Sequence, residues 1–271
     1  MPELPEVETT RRGIEPYIKG NTVRQVIIRQ RQLRWPVPYK LKKILPGQKI
    51  LNINRRGKYL LLDTSIGSVI IHLGMSGSLR MVGKNSLPQK HDHIDFVFNN
   101  NKILRLRDPR RFGAVLWTNH NPEYHSLLKS LGPEPLSEEF STDYLFDRSR
   151  KRKISIKAFI MNSKVVVGVG NIYASEALFR AAIRPTISAG KISKPRYLKL
   201  VTAIKEVLEE AVAQGGTTLR DFTNEEGKPG YFKQKLLVYG RAGEPCSICQ
   251  SMIKQIKQGQ RATYYCPRCQ H

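Results

Sequence analysis

The sequence predicts an α+β chain in several parts: a two-layer antiparallel β domain behind an opening helix, a helical region, and a terminal hairpin stapled by a metal. Three observations predict it. Short β-branched or alternating runs separated by Asn, Gly and Pro fill residues 22–117, and helical periodicity takes over past Pro135. All four cysteines lie in the last 26 of 271 residues, in two Cys-x2-Cys pairs.

The opening element is a helix, because Leu4, Val7, Ile14 and Ile18 recur at helical spacing and Gly20 is a stop signal; Pro16 should loosen the last turn. Once Met1 is removed, Pro2 becomes a free secondary amine. An α-amino group has a pKa near 8, so part of it is neutral and nucleophilic at neutral pH. Adding to a sugar carbon, it can form only an iminium ion with no proton to lose, and that fixed charge acidifies the adjacent C–H. One nucleophile therefore suffices for base release and for strand cleavage. Pro and Glu are also ordinary helix starts, so the stretch alone does not decide.

The strands expected next are Thr22–Ile28, Ile50–Arg55, Tyr59–Asp63, Ser68–Leu73, Ile94–Phe98, Ile103–Arg107 and Ala114–Trp117. Pro133 and Pro135 punctuate the end of that domain. Arg148, Arg150, Lys151, Arg152, Lys153 and Lys157 then crowd into ten residues, which reads as part of a phosphate-tracking surface. After an apolar turn over Val165–Gly170, Asn171 is expected to cap a helix whose N-terminus suits a phosphate oxygen, with Gly168 and Gly170 admitting the ligand closely. Leu198, Val201, Ile204, Leu208 and Val212 mark the core face of a longer helix ended by Gly215-Gly216.

Cys246, Cys249, Cys266 and Cys269 have zinc-ribbon spacing. Four thiolates leave no open coordination position, so one structural Zn2+ is expected there and catalysis elsewhere. Between the pairs, Gln258-Gly259-Gln260 turns the chain and presents Arg261 at the tip of a hairpin suited to a DNA groove.

With 46 Lys and Arg against 22 Asp and Glu, the net charge is +24 and the pI about 10.1, which calls for a polyanionic partner. No apolar run spans a bilayer and no leader is evident, so nucleic acid is expected rather than a membrane, and free thiols fit a reducing cytoplasm. Nothing points beyond a monomer.

Taken together, the motifs resemble the bacterial formamidopyrimidine-DNA glycosylases, the 8-oxoguanine-excising branch of a family that also contains endonuclease VIII. They are Pro2-Glu3-Leu4-Pro5-Glu6-Val7-Glu8, Arg55-Arg56-Gly57-Lys58-Tyr59, His72-Leu73-Gly74-Met75-Ser76-Gly77, Lys90-His91-Asp92-His93, Asp108-Pro109-Arg110-Arg111-Phe112-Gly113, the run Val167–Glu176 and the four cysteines. The resemblance spans essentially the whole chain. It implies a β-sandwich catalytic domain over 1–134, a linker over 135–150, a helix-two-turn-helix DNA-binding domain over 151–235 and a zinc finger over 236–271.

By the same resemblance, Pro2 is the nucleophile and Glu3 the general acid at the sugar ring oxygen, with Lys58 on the phosphate beside the lesion and Glu6 ordering the site. Asn171, Arg261, Lys157 and His91 would contact the DNA backbone. Met75, Arg110 and Phe112 would fill the hole left by the extruded base, Arg110 pairing with the orphaned cytosine. An apolar thioether and a ring can replace lost stacking, and a guanidinium can donate to cytosine's acceptors. Thr217, Thr218 and Arg220 look like the lesion-recognition loop. Arg220 stands where relatives can carry lysine, and Met161-Asn162-Ser163 replaces a usual carboxylate. The implied partner is damaged double-stranded DNA in the bacterial nucleoid, and the implied activity is excision of oxidised purines followed by β,δ-elimination. A damage-binding protein without chemistry leaves Pro2, Glu3 and Lys58 unexplained, and a zinc-ribbon accessory factor also leaves the base-filling trio unused.

Overall fold

The computed structural model describes residues 2–215 and 236–271, in two compact units. In the first, α1 (Leu4–Ile18) buries Leu4, Val7, Ile14 and Ile18 as its spacing predicts, and runs through Pro16 before Gly20 turns the chain at φ +79°. Then follow β1 (Val23–Ile28), the short α2 (Leu41–Ile44), β2 (Asn52–Arg56), β3 (Tyr59–Thr64), β4 (Gly67–His72), β5 (Ser78–Gly83), β6 (Asp92–Phe98), β7 (Lys102–Arg107) and β8 (Ala114–Thr118).

These strands form two antiparallel sheets, ordered β1-β6-β7-β5 and β2-β3-β4-β8. Strand alternation sends every second side chain inward. Leu60, Leu62, Val69 and Ile71 of one sheet meet Ile94, Phe96, Leu104 and Leu106 of the other in a shared core, which α1 completes with Val7, Ile14 and Ile18. Strand β5 was not among the expected runs. It alternates as a strand should, with Leu79 and Met81 buried and Arg80 between them on the other face, but the run is short, holds a charge whose guanidinium is met by Asp92 at 3.0 Å, and is bounded by glycines.

The second unit contains α3 (Thr142–Ser149), α4 (Ile156–Ile160), α5 (Asn171–Arg180), α6 (Lys194–Ala213), β9 (Lys254–Gln258) and β10 (Arg261–Tyr265). Helix α3 lies inside the stretch read as a linker. Its N-cap Ser141 accepts from Tyr144 N–H at 3.1 Å, and Leu145 is buried. In α6 the core face is Tyr197, Leu200, Val201, Ile204, Val207, Leu208 and Ala211; Leu198, expected inside, is exposed because the buried stripe steps from Tyr197 to Leu200 and Val201, three and four residues on, and leaves Leu198 on the outer face. Strands β9 and β10 pair from Arg261↔Gln258 to Tyr265↔Lys254 around the two-residue turn Gly259-Gln260, with Gly259 at φ +58° as such turns require at their first position. Among the described residues, no helix is long and apolar enough to cross a membrane.

Candidate active site and nucleic-acid interface

Pro2, Glu3 and Glu6 are all buried at the N-terminus of α1. Glu3 is the N-cap, and Glu6 at N3 reaches back to accept the Glu3 N–H at 2.7 Å. Two carboxyl groups thus sit at the positive end of the helix dipole, immediately beside Pro2.

Lys58 occupies the two-residue β2–β3 turn with Gly57, which adopts φ +56°. Arg55 holds that turn from below, donating to Gly57 O at 3.0 Å and to Glu8 of α1 at 3.1 Å. Burial of Glu8 works against its charge, but hydrogen bonds from Arg11 and Arg12 and the charge of Arg55 outweigh it and lower its pKa to about 2. A carboxylate that stays ionised through the neutral range therefore bolts the Lys58 turn to α1, whose N-terminus adjoins Pro2. His72, paired with Tyr59 across the sheet and tilted against its ring with centroids 4.7 Å apart, accepts the Gly74 N–H at Nδ1, 3.0 Å away. Burial, with the positive charges of Lys58 and Arg34, lowers its pKa to about 4, so the ring is neutral in use.

Met75, Arg110 and Phe112, the three residues expected to fill the vacated stack, stand on two adjoining turns. Met75 and Phe112 are exposed for apolar side chains of their size, and the Arg110 guanidinium lies 4.9 Å from the centre of the Phe112 ring. His91 adopts φ +75° and accepts the Asp108 N–H at its carbonyl, 3.1 Å away.

In the second unit, Asn171 is not the N-cap: Gly170, extended at φ −119°, takes that position, and the amide of Asn171 is engaged elsewhere. It donates to Ala262 O at 3.0 Å and lies 3.5 Å from the Tyr239 hydroxyl. Lys157 converges on the same strand, donating to Thr263 Oγ1 at 2.9 Å and Ala262 O at 3.3 Å. Asn171 and Lys157 therefore grip the residue next to exposed Arg261, so the structure brings these three expected residues together. The basic run is not one continuous surface: Lys157 is buried, and Arg150 stacks on Phe146 at 3.8 Å while donating to Ile192 O. Arg148, Lys151, Arg152 and Lys153 are exposed. Thr217, Thr218 and Arg220 lie outside the described residues.

The sulfurs of Cys246, Cys249, Cys266 and Cys269 lie within 4.8 Å of one another. Cys246 faces Cys269 at 3.9 Å and Cys249 faces Cys266 at 3.4 Å, close to the roughly 3.8 Å edge of a tetrahedron with 2.3 Å Zn–S bonds. The donor set fits one structural zinc. Val238, Phe179 and Ile253 are the few apolar residues packed around it, too small a core to hold the hairpin unaided.

A buried Pro2 beside two carboxyl groups, a lysine turn bolted to the same helix and a basic hairpin carrying four cysteines are the parts of a zinc-finger nucleic-acid enzyme. Three family models match in order: the formamidopyrimidine-DNA glycosylase N-terminal domain over residues 1–115, its H2TH domain over 131–223, and a zinc finger found in FPG and IleRS over 243–271. The formamidopyrimidine-DNA glycosylases of Nitrosococcus oceani and Methylococcus capsulatus are 56% and 57% identical to the chain over 271 and 270 residues, with 100% of each partner covered. A crystal structure of the Thermus thermophilus MutM (Fpg) protein superposes with a TM-score of 0.88 at 38% identity, covering 99% of this chain and 98% of that one. The Lactococcus lactis Fpg in complex with abasic-site DNA does so at 0.93 and 34%, with both chains fully covered. The chain belongs to the formamidopyrimidine-DNA glycosylase family.

Sequence reasoning passed over the residues that hold these groups in place: Glu8, Arg55, His72, Ser76, Asp108 and Glu176. Their signal is present, since each lies within a motif quoted above, but a motif does not say which side chain faces inward.

Proposed function

We propose that this enzyme, a base-excision repair glycosylase of damaged double-stranded DNA with abasic-site lyase activity, works through the amine of Pro2 once Met1 has been removed. The nitrogen attacks C1′ of an extruded deoxynucleotide whose base is an oxidised purine, such as 8-oxoguanine or a formamidopyrimidine. The N–C1′ bond forms as the glycosidic bond breaks, and the electron pair leaves with the base, which takes up a proton. Glu3 protonates the ring oxygen, opening the sugar to a Pro2 iminium ion. Loss of a C2′ proton then expels the 3′-phosphate and a second elimination expels the 5′-phosphate.

Lys58 holds the phosphate beside the lesion, Glu6 keeps Glu3 in register, and Asn171, Arg261 and His91 grip the backbone, with Lys157 contributing its charge from beneath the hairpin. Met75, Arg110 and Phe112 fill the vacated stack, and Thr217, Thr218 and Arg220 read the lesion. The enzyme acts as a monomer in the cytoplasm, on nucleoid DNA. The supporting observation is the burial of Pro2, Glu3 and Glu6 together at one helix start. The test is borohydride reduction during turnover of a duplex with 8-oxoguanine opposite cytosine: a covalent protein–DNA adduct is expected, and lesion binding without any adduct would refute the proposal.

A further inference from the structure

Asp108 is the first residue after β7 and is completely buried, yet the chemistry above gives it nothing to do. Its Oδ1 accepts the Ser76 hydroxyl at 2.9 Å and its Oδ2 accepts the Gly113 N–H at 2.7 Å. Its main chain is equally committed. The N–H donates to His91 O at 3.1 Å, and the carbonyl accepts the Arg111 N–H at 3.2 Å and lies 2.8 Å from His93 Nε2. Ser76 Oγ in turn accepts the Arg110 N–H at 3.3 Å.

Each residue of the base-filling trio is therefore tied to this one carboxylate: Met75 precedes Ser76, Phe112 precedes Gly113, and Arg110 is bonded to the Ser76 oxygen. The two turns also touch directly. A Cβ on Gly74, which has φ +66°, would lie 2.4 Å from the Phe112 carbonyl carbon, and one on Gly113 would lie 2.9 Å from Asp108 Oδ2. Arg111 is held at φ +56°, a conformation that costs a non-glycine residue on the order of 1 kcal/mol and persists where surroundings over-determine it.

We propose that Asp108, acting through Ser76, is a positioning residue that locks Met75, Arg110 and Phe112 into one rigid wedge and so sets the preference for the base opposite the lesion. The inference rests on the assignment of that trio to the vacated stack. A carboxylate that merely closed its own loop would need the Gly113 bond alone; the Ser76 bond joins segments 32 residues apart and serves the Met75 turn. Specificity follows because Arg110 can donate to two adjacent acceptors of an orphaned cytosine, N3 and O2, whereas the pairing edge of adenine offers the single acceptor N1 between an amino group and a C–H. A fixed backbone keeps the guanidinium at that edge, and a loosened one lets it accommodate either base.

The test uses the full processed, zinc-loaded chain. Single-turnover excision of 8-oxoguanine is measured opposite cytosine and opposite adenine, beside borohydride trapping on a single-stranded abasic oligonucleotide that has no opposite base. Asp108→Ala and Ser76→Ala should each lower the cytosine-over-adenine ratio by about tenfold, the discrimination carried by one well-placed base contact, without reducing single-strand trapping. Asp108→Asn should keep most of the ratio, because an amide can accept from Gly113 and donate to Ser76 Oγ. Should Asp108→Ala fail to fold, Ser76→Ala, which removes only a hydroxyl, decides the matter. A wild-type ratio in folded Ser76→Ala, or a ratio that falls only in step with single-strand trapping, overturns the proposal. Arg110→Ala separates the two levels: if it leaves the ratio unchanged, the trio assignment itself fails, and if it lowers the ratio where Ser76→Ala does not, only the positioning role fails.

Discussion

Removing the carboxylate of Glu176 should loosen the zinc hairpin from the helix that carries Asn171. Glu176 lies in the middle of α5, buried, and both oxygens accept main-chain donors: Oε2 takes Leu237 N–H at 2.8 Å, and Oε1 takes Val238 and Tyr239 N–H at 3.0 and 2.8 Å. Three consecutive amides thus enclose one anion at the point where the chain enters the hairpin. Val238 contributes to the small core around Cys246 and Cys266, and the Tyr239 hydroxyl adjoins Asn171. A hydrogen bond to a charged group contributes about 1.5–3 kcal/mol, and a buried donor left alone costs about 1–3 kcal/mol. Leu237 and Tyr239 are only half-buried, so their amides can rehydrate in Glu176→Ala, while Val238 is fully buried and its amide cannot. The net loss should be about 3–4 kcal/mol, dominated by the desolvated Val238 bond. Glu176→Gln retains one acceptor oxygen and should lose roughly half as much. Zinc release into a chromophoric chelator across a urea titration reads this directly. The release midpoint should fall in the order wild type, Gln, Ala; an alanine variant that holds zinc as firmly as wild type would refute the reasoning.

The metal and the acid response supply two further tests. Stripping zinc with a chelator should unfold residues 236–271 and abolish duplex binding, because the few apolar residues packed there cannot replace four thiolate bonds; retained hairpin amide protection in the stripped protein would contradict this. His72 is neutral when folded, with a pKa of about 4 against an ordinary 6.5, so the unfolded chain binds a proton that the native chain refuses as pH falls. Its contribution is complete above pH 6.5 and shrinks toward pH 4, by on the order of 2 kcal/mol at pH 5. Glu8 acts in a lower window: burial is the largest single influence and opposes its charge, but its arginines together outweigh it and lower the folded pKa to about 2, so its contribution is full above pH 4.5 and lost as pH falls through 2. Urea midpoints of wild type and His72→Gln should therefore differ less at pH 5 than at pH 7, and a gap that stays constant would count against the neutral ring.

Much of this was legible in the chain. The core stripe of α1, seven of the eight sandwich strands and the metal hairpin follow from period, punctuation and cysteine spacing, because those features are local. What escaped was set by tertiary contact. Strand β5 hides behind Arg80, an ion that becomes acceptable in the sheet only because Asp92 meets it there. Asn171 has the chemistry of a cap, but it is the first helical residue, one past the cap position that Gly170 holds, and its side chain turns to donate from Nδ2 to Ala262 O of β10. Lys157 reads as surface charge until Thr263 and Ala262 close over it. The residues of the candidate site were visible as motif members, whereas Glu8, Asp108 and Glu176 become apparent as the groups that aim them only when segments distant in sequence are seen to share one acceptor.

The central claim is that the N-terminal imino nitrogen, and no lysine, carries the reaction. The most direct measurement is peptide mapping of the borohydride-reduced adduct by mass spectrometry, on enzyme whose Met1 removal has been verified. The account predicts the deoxyribose remnant on Pro2, and loss of the adduct when that nitrogen is acetylated beforehand. A remnant on Lys58, or undiminished trapping by the acetylated enzyme, would contradict it.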